Sequence, residues 1–188
     1  MQMGNGPGGE RLWVGIQLPD AARASLCALT EDLPGVNWNL GSELHLTLRF
    51  LGEMDSHRRE IVTERLAAIR VSSFLLPLAG VGAFPPHGPP RVVWTGTGTG
   101  HPRLFQLRQR LDDALLAAGV RLDVRTFSPH VTLARCRPEA EAAVTAWLRK
   151  WRGFEGPNFR VDYFGLFSSE LRPSGAVHTL RARFPLAN

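Results

Sequence analysis

Apolar residues in this chain fall into short runs whose spacing changes between the period of a strand and that of a helix. The run Leu12-Trp13-Val14-Gly15-Ile16-Gln17-Leu18 predicts a first strand, and Pro19-Asp20 ends it and starts a helix over about 21–33. From Glu43 to Leu51 the alternation is strict. Leu44, Leu46 and Leu48 take one face, and His45, Thr47 and Arg49 take the other. Asp55-Ser56 then caps a helix to about Arg70, with Ile61, Leu66 and Ile69 as its apolar side. Residues 74–84 predict an irregular or edge strand, because proline and glycine interrupt them. The segment Pro85-Pro86-His87-Gly88-Pro89-Pro90 reads as a stiff linker between two halves.

After that segment the order repeats. Arg91 to Thr95 predicts a strand, and Leu104, Leu107, Leu111 and Leu115 mark a helix closed by Gly119. Pro129-His130-Val131-Thr132-Leu133-Ala134-Arg135 is a second alternating run with histidine and threonine two places apart. Pro138 starts a helix with Val144, Trp147, Leu148 and Trp151 on one face, and strands over about 159–171 and 177–184 finish the chain. A His-x-Thr strand between two helices therefore occurs once in each half. This duplication predicts one α+β domain over residues 11–188, built as two similar lobes with a central cleft. Residues 1–10, rich in glycine, read as a flexible tail.

Composition narrows the chemistry. The net charge is +5, and Lys150 is the only lysine, so the basic side is almost wholly arginine. Arginine grips phosphate with two parallel donors, which suits an anionic partner such as nucleic acid, although coding bias would give the same excess. Cys27 and Cys136 are too few for a disulfide framework or a cysteine zinc site, which points to a reducing cytoplasm. No signal peptide and no apolar run long enough for a membrane span are found, so no membrane partner is expected.

Residues i and i+2 of a strand lie about 6.5 Å apart on one face, so one imidazole and one hydroxyl can both reach a phosphate-sized group. Histidine moves protons near neutral pH. Two histidines can divide the work on a phosphoester, one taking a proton from the attacking water and the other giving one to the departing alkoxide. Thr47 and Thr132 supply hydroxyl donors and Arg135 or Arg49 a cation for the non-bridging oxygens, with no need of a metal. His178 is a further candidate for the cleft wall, whereas His57, His87 and His101 read as surface residues. Trp13 and Phe50 suit either base stacking or the core, with the core favoured for Phe50 and narrowly for Trp13. Lys150-Trp151-Arg152-Gly153 reads as a helix end, and Gly96 to Gly100 lacks the lysine of a phosphate loop.

The two His-x-Thr runs, with Arg11-Leu12-Trp13-Val14, Leu18-Pro19, Phe50-Leu51-Gly52, Phe84-Pro85, Pro90-Arg91-Val92-Val93-Trp94 and Phe167-Ser168-Ser169 around them, resemble the 2H phosphoesterases. Within these the likeness is to the LigT-like RNA 2′,3′-cyclic phosphodiesterases, also called 2′-5′ RNA ligases. The resemblance implies antiparallel sheets related by a pseudo-twofold axis. It also implies hydrolysis of RNA 2′,3′-cyclic phosphate ends to 2′-phosphate and reversible 2′-5′ joining of tRNA halves, without metal or ATP. By position His45 and His130 match the catalytic pair, with His45 as the acid and His130 as the base. Thr47 and Thr132 match the phosphate contacts, and Arg135 the arginine closing the second motif. His178 stands where the family often carries tyrosine. Competing readings are a non-catalytic receptor for nucleotides or RNA ends, and the same chemistry on another cyclic phosphate or a 2′-5′ linked nucleotide. Nothing in the pattern demands a second subunit, so a monomer is expected.

Overall fold

The two His-x-Thr strands lie side by side at the centre of an antiparallel sheet. The computed structural model describes residues 9–123, 126–172 and 175–188; most of the expected tail lies outside them. In chain order the elements are β1 (Glu10–Gln17), α1 (Asp20–Cys27), β2 (Val36–Trp38), β3 (His45–Met54), α2 (Ser56–Ala67), β4 (Phe74–Leu76) and β5 (Ala79–Phe84). The second half supplies β6 (Val92–Gly96), α3 (Pro102–Ala117), β7 (His130–Cys136), α4 (Glu141–Trp151), β8 (Phe159–Val161), β9 (Tyr163–Arg172) and β10 (Gly175–Pro185).

The main sheet runs β10-β9-β1-β3-β7-β6-β5, with β2 added along β7, and β4 pairs with β8 in a separate ribbon. The order is symmetric about the β3/β7 pair. On one side stand β1 and β9, on the other β6 and β5, so β1 corresponds to β6, β3 to β7, β4 to β8 and β5 to β9. The halves also exchange strands, because β5 of the first pairs with β6 of the second and β9 of the second pairs with β1 of the first. This exchange corrects the linker expectation. Residues 85–90 connect the adjacent antiparallel strands β5 and β6, with Phe84 opposite Val92, and do not separate the lobes. A proline-rich stretch ends regular pairing in a hairpin connection as effectively as in a linker.

The core forms between the sheet and the helices, where Leu12, Val14, Ile16, Leu46, Leu48, Val131 and Leu133 meet helical side chains. Leu104, Leu107, Leu111 and Leu115 of α3 are all fully buried, each contributing about 2 kcal/mol of apolar burial. On α2 the inward residues are Val62 and Leu66, while Ile61 is exposed. The Asp55 carboxylate accepts the Arg58 N–H and caps that helix. Helix α1 ends at Cys27, short of the expected Leu33. Pro34 disfavours helical backbone at Leu33, Gly35 turns with φ +76°, and the Thr30 hydroxyl donates to the Cys27 carbonyl. His101 also departs from expectation, for it is half-buried, its Nδ1 accepts the Arg103 N–H at the start of α3, and its ring stacks on Phe74 at 5.2 Å.

Candidate active site

One pairing decides the geometry of the cleft. Strands β3 and β7 are registered through Leu46 and Val131, and each is the middle residue of its own His-x-Thr motif. The pseudo-twofold axis therefore passes between them. Antiparallel register then sets His45 across from Thr132 and Thr47 across from His130. Leu46 and Val131 are fully buried, so alternation turns all four polar side chains to the opposite face, where each is half-buried. Among the described residues neither threonine hydroxyl has a partner within the protein, which leaves both to bind a ligand oxygen.

Each histidine is oriented from behind. His130 Nδ1 lies 2.8 Å from the Ser128 carbonyl, two residues earlier; an N–H there donates to that oxygen and leaves Nε2 free. The backbone of Glu43, again two residues earlier, stands in the same relation to His45, although its Nδ1 is buried without a well-formed hydrogen bond. The ring of His45 stacks on Trp13 at 4.2 Å, and that indole stacks in turn on Phe167 at 4.4 Å. Around His130 the corresponding aromatics are Phe84, edge-on at 5.1 Å, and Trp94 at 6.3 Å. Both tryptophans lie over glycine. A Cβ on Gly15 would come 2.6 Å from the Trp13 ring, and one on Gly82 would come 2.2 Å from the Trp94 ring. A glycine inside a strand marks such close approach, and this is a signal in the sequence from which these aromatic floors could have been found.

A third histidine completes one wall. His178 on β10 meets His45 edge-on at 5.0 Å and Trp13 at 5.2 Å. The Trp13 Nε1–H donates to Ser169 Oγ at 2.9 Å, and Ser169 Oγ lies 2.8 Å from His178 Nδ1. Having accepted from the indole, this hydroxyl keeps its own hydrogen for a neutral His178 Nδ1. Sequence reasoning missed Ser169, Ser128, Phe84 and Trp94 as parts of the site, because their roles depend on neighbours far away in the chain.

Burial pushes the His45 pKa down to about 4, helped by positive charge on His178 and His130 and opposed by the Glu43 backbone. Burial also lowers His178, with the Glu43 carboxylate acting against it. The folded protein thus binds the His45 proton more weakly than the unfolded chain does. Stability from this residue is present above pH 6.5 and is lost as the pH falls toward 4, by about 3 kcal/mol. Denaturant titrations of wild type and His45→Asn across that range should show a steeper loss in the wild type, and parallel losses would refute the assignment.

Two expected placements are redrawn, those of Arg49 and Phe50, and Trp13 takes the core position narrowly favoured for it. Arg49 does not offer its donors to a phosphate: Nε and Nη2 hold the Asp112 carboxylate of α3 at 2.9 and 2.8 Å, and Nη1 donates to the Asp123 carbonyl. Trp13 is 2% exposed beneath His45, so it supports the histidine and presents no face to a base. Phe50, opposite Trp13 in register, is 72% exposed and lies outside the core, because register shifts along β1 break the simple alternation. Arg135 is exposed, makes no ion pair among the described residues, and borders a surface hollow with Asn37 and Arg137. Among the described residues no three His, Cys, Asp or Glu side chains converge as a metal-binding set.

The LigT like phosphoesterase family model matches residues 16–94 and 98–178, one segment for each half. The chain belongs to the LigT-like phosphoesterases. The RNA 2′,3′-cyclic phosphodiesterase of Aeropyrum pernix is 36% identical over 135 residues, 71% of this chain and 77% of that protein. That of Thermus thermophilus is 34% identical over 186 residues, 94% of this chain and 90% of its own length. Among solved structures, Escherichia coli LigT complexed with 3′-AMP superposes with a TM-score of 0.79 at 27% identity, covering 96% of this chain and 99% of that one. The two-lobed, duplicated α+β architecture is thus the LigT-like fold.

Proposed function

We propose that this protein is a phosphodiesterase that opens 2′,3′-cyclic phosphates at RNA ends. The observation that carries the reading is the Leu46–Val131 pairing, which sets two histidines and two unengaged threonine hydroxyls on one face about a twofold axis. The relatives named RNA 2′,3′-cyclic phosphodiesterase supply the substrate class. One imidazole takes a proton from water, the water oxygen bonds to phosphorus, the P–O3′ bond breaks, and the other imidazole gives its proton to O3′. The products are a 2′-phosphate and a 3′-hydroxyl, and proton exchange with solvent resets the pair. Thr47 and Thr132 donate to the non-bridging oxygens as negative charge builds there. No step calls for a metal. Arg135, exposed on the strand of His130, is the cation proposed for the non-bridging oxygens.

Burial favours an order opposite to the one expected from the sequence. At neutral pH His45 is uncharged in the ligand-free protein and so is ready to accept a proton, which suits the base; His130 is then the acid. A 5′-hydroxyl in place of water would give a 2′-5′ bond by the same path, which extends the proposal to joining RNA ends such as tRNA halves. Both histidines come from one chain, which supports a monomer. Two free cysteines fit a cytoplasmic setting.

The test is hydrolysis of an RNA oligonucleotide with a 2′,3′-cyclic phosphate end in EDTA, with the product's phosphate position assigned by phosphatase and ribonuclease sensitivity. Turnover to a 2′-phosphate is expected. Tight binding of this RNA without turnover would move the reading to a receptor.

A further inference from the structure

The pseudo-twofold axis relates the two catalytic histidines, but the sheet around them is not symmetric. Strands β1, β3 and β9 have counterparts in β6, β7 and β5, whereas β10 continues the sheet beyond β9 and no described strand continues it beyond β5. This extra strand sets His178 opposite Ser169 of β9, on the His45 side of the cleft. There His178 meets His45 edge-on at 5.0 Å, while the rings around His130 among the described residues are those of Phe84 and Trp94, with no third imidazole.

The contacts of His178 decide which of its nitrogens carries hydrogen. An indole N–H can only donate, and that of Trp13 donates to Ser169 Oγ at 2.9 Å. The hydroxyl then gives its own hydrogen to His178 Nδ1 at 2.8 Å, which requires that nitrogen to be bare. A neutral imidazole bare at Nδ1 carries its hydrogen on Nε2. His178 Nε2 has no hydrogen-bond partner among the described residues and does not belong to the buried atoms that lack one, so its N–H is open to the cleft. The uncharged form also suits the place. Burial disfavours the charged ring at His178 against the pull of the Glu43 carboxylate, and a cation there would oppose proton uptake by His45. A neutral donor offers an anion a hydrogen bond without that effect.

We propose that Ser169 is a positioning residue that holds His178 with its Nε2–H toward the cleft, where this third imidazole donates to a non-bridging oxygen of the phosphate between His45 and His130. The proposal rests on the phosphodiesterase reading for the place of the phosphate. The two threonines are related by the twofold axis and do not distinguish one side of the phosphate from the other. A donor present only on the His45 side does, so the extra strand turns the phosphate one way round in an otherwise symmetric site.

The experiment uses inorganic phosphate as the probe, so it does not depend on turnover. Nitrogen-15 correlation spectra of the histidine rings, recorded in mildly alkaline buffer with His178 assigned by its loss in His178→Phe, report the tautomer directly. His178 should carry its hydrogen on Nε2, and added phosphate should move its resonances together with those of His45 and His130. His178→Phe keeps a ring against Trp13 and should weaken phosphate binding about tenfold, the contribution of one hydrogen bond to a charged group. His178→Gln keeps an N–H donor and should lose no more than about threefold. Ser169→Ala should weaken binding about fivefold in the wild type and leave it unchanged in a His178→Phe background, while Ser169→Thr should keep the wild-type affinity. Thermal unfolding checks that each variant is folded. Hydrogen on Nδ1, an undiminished affinity in His178→Phe, or an effect of Ser169→Ala that does not depend on His178 would each overturn the proposal, the last by showing that Ser169 acts through Trp13 alone. A wild type that meets these expectations but opens no cyclic phosphate would overturn the phosphodiesterase reading and leave His178 as a phosphate ligand.

Discussion

Alanine in place of His130 should slow opening of a 2′,3′-cyclic phosphate about a thousandfold, because positioned acid or base catalysis contributes on the order of 10²–10⁴ in rate. The loss should appear in kcat, since the remaining histidine, both threonines and the aromatic floor still bind the phosphate. His130 is half-buried on the cleft face, and its ring makes edge contact with Phe84, so the fold should survive its removal. A substrate with sulfur replacing the 3′ oxygen separates the two roles. A thiolate departs without a proton, so this substrate should restore most of the rate in His130→Ala and little of it in His45→Ala. Rescue of His45→Ala alone would reverse the assignment and make His45 the acid. Turnover near the wild-type rate in both variants would end the two-histidine mechanism.

The second large effect concerns stability. Asp112 on α3 accepts from Arg49 of β3 and from Arg108 of its own helix, whose Nε lies 3.1 Å away, and the two arginine side chains are only 11% and 10% exposed. Burial alone would raise the Asp112 pKa, but the hydrogen bonds from Arg49 and Arg108 outweigh it and hold the carboxyl below its usual range. Asp112→Ala would leave two cations facing each other with little solvent. The expected cost is about 3 kcal/mol, because removing one partner of a buried ion set strands the charge of the others. Replacing the whole set, as Arg49→Met with Arg108→Met and Asp112→Leu, should recover most of that loss. Urea denaturation of the single and triple variants decides the matter; a cost below about 1 kcal/mol for Asp112→Ala would show that solvent screens the cluster.

What the sequence made legible was local. Four leucines at helical spacing mark α3, and Asp55 marks the start of α2, because those patterns carry their own physics within one turn or two. The duplicated His-x-Thr strands were legible for the same reason, and alternation alone placed histidine and threonine on one face. The errors fall where a partner lies far along the chain. Arg49 shares the nominal face of His45, but Asp112 claims it, and nothing near Arg49 announces that. Phe50 was assigned inward by alternation that register shifts between β1 and β3 cancel. The Trp13–Ser169–His178 chain was hidden because it joins strands from opposite ends of the sequence.

The exchange of strands between halves also sets the order in which this protein can be made. Strand β1 forms early and finds β3 nearby, but its other edge is filled by β9, with Arg11 opposite Ser169 and Gly15 opposite Gly165. On the ribosome that edge stays open until almost the whole chain has emerged. An unpaired strand edge is a template for intermolecular association, and pairings between distant segments are slow to form. Residues on β9 and β10 therefore govern the yield of soluble protein as well as the shape of the cleft, and truncation after β8 would leave an aggregation-prone chain in place of a smaller enzyme.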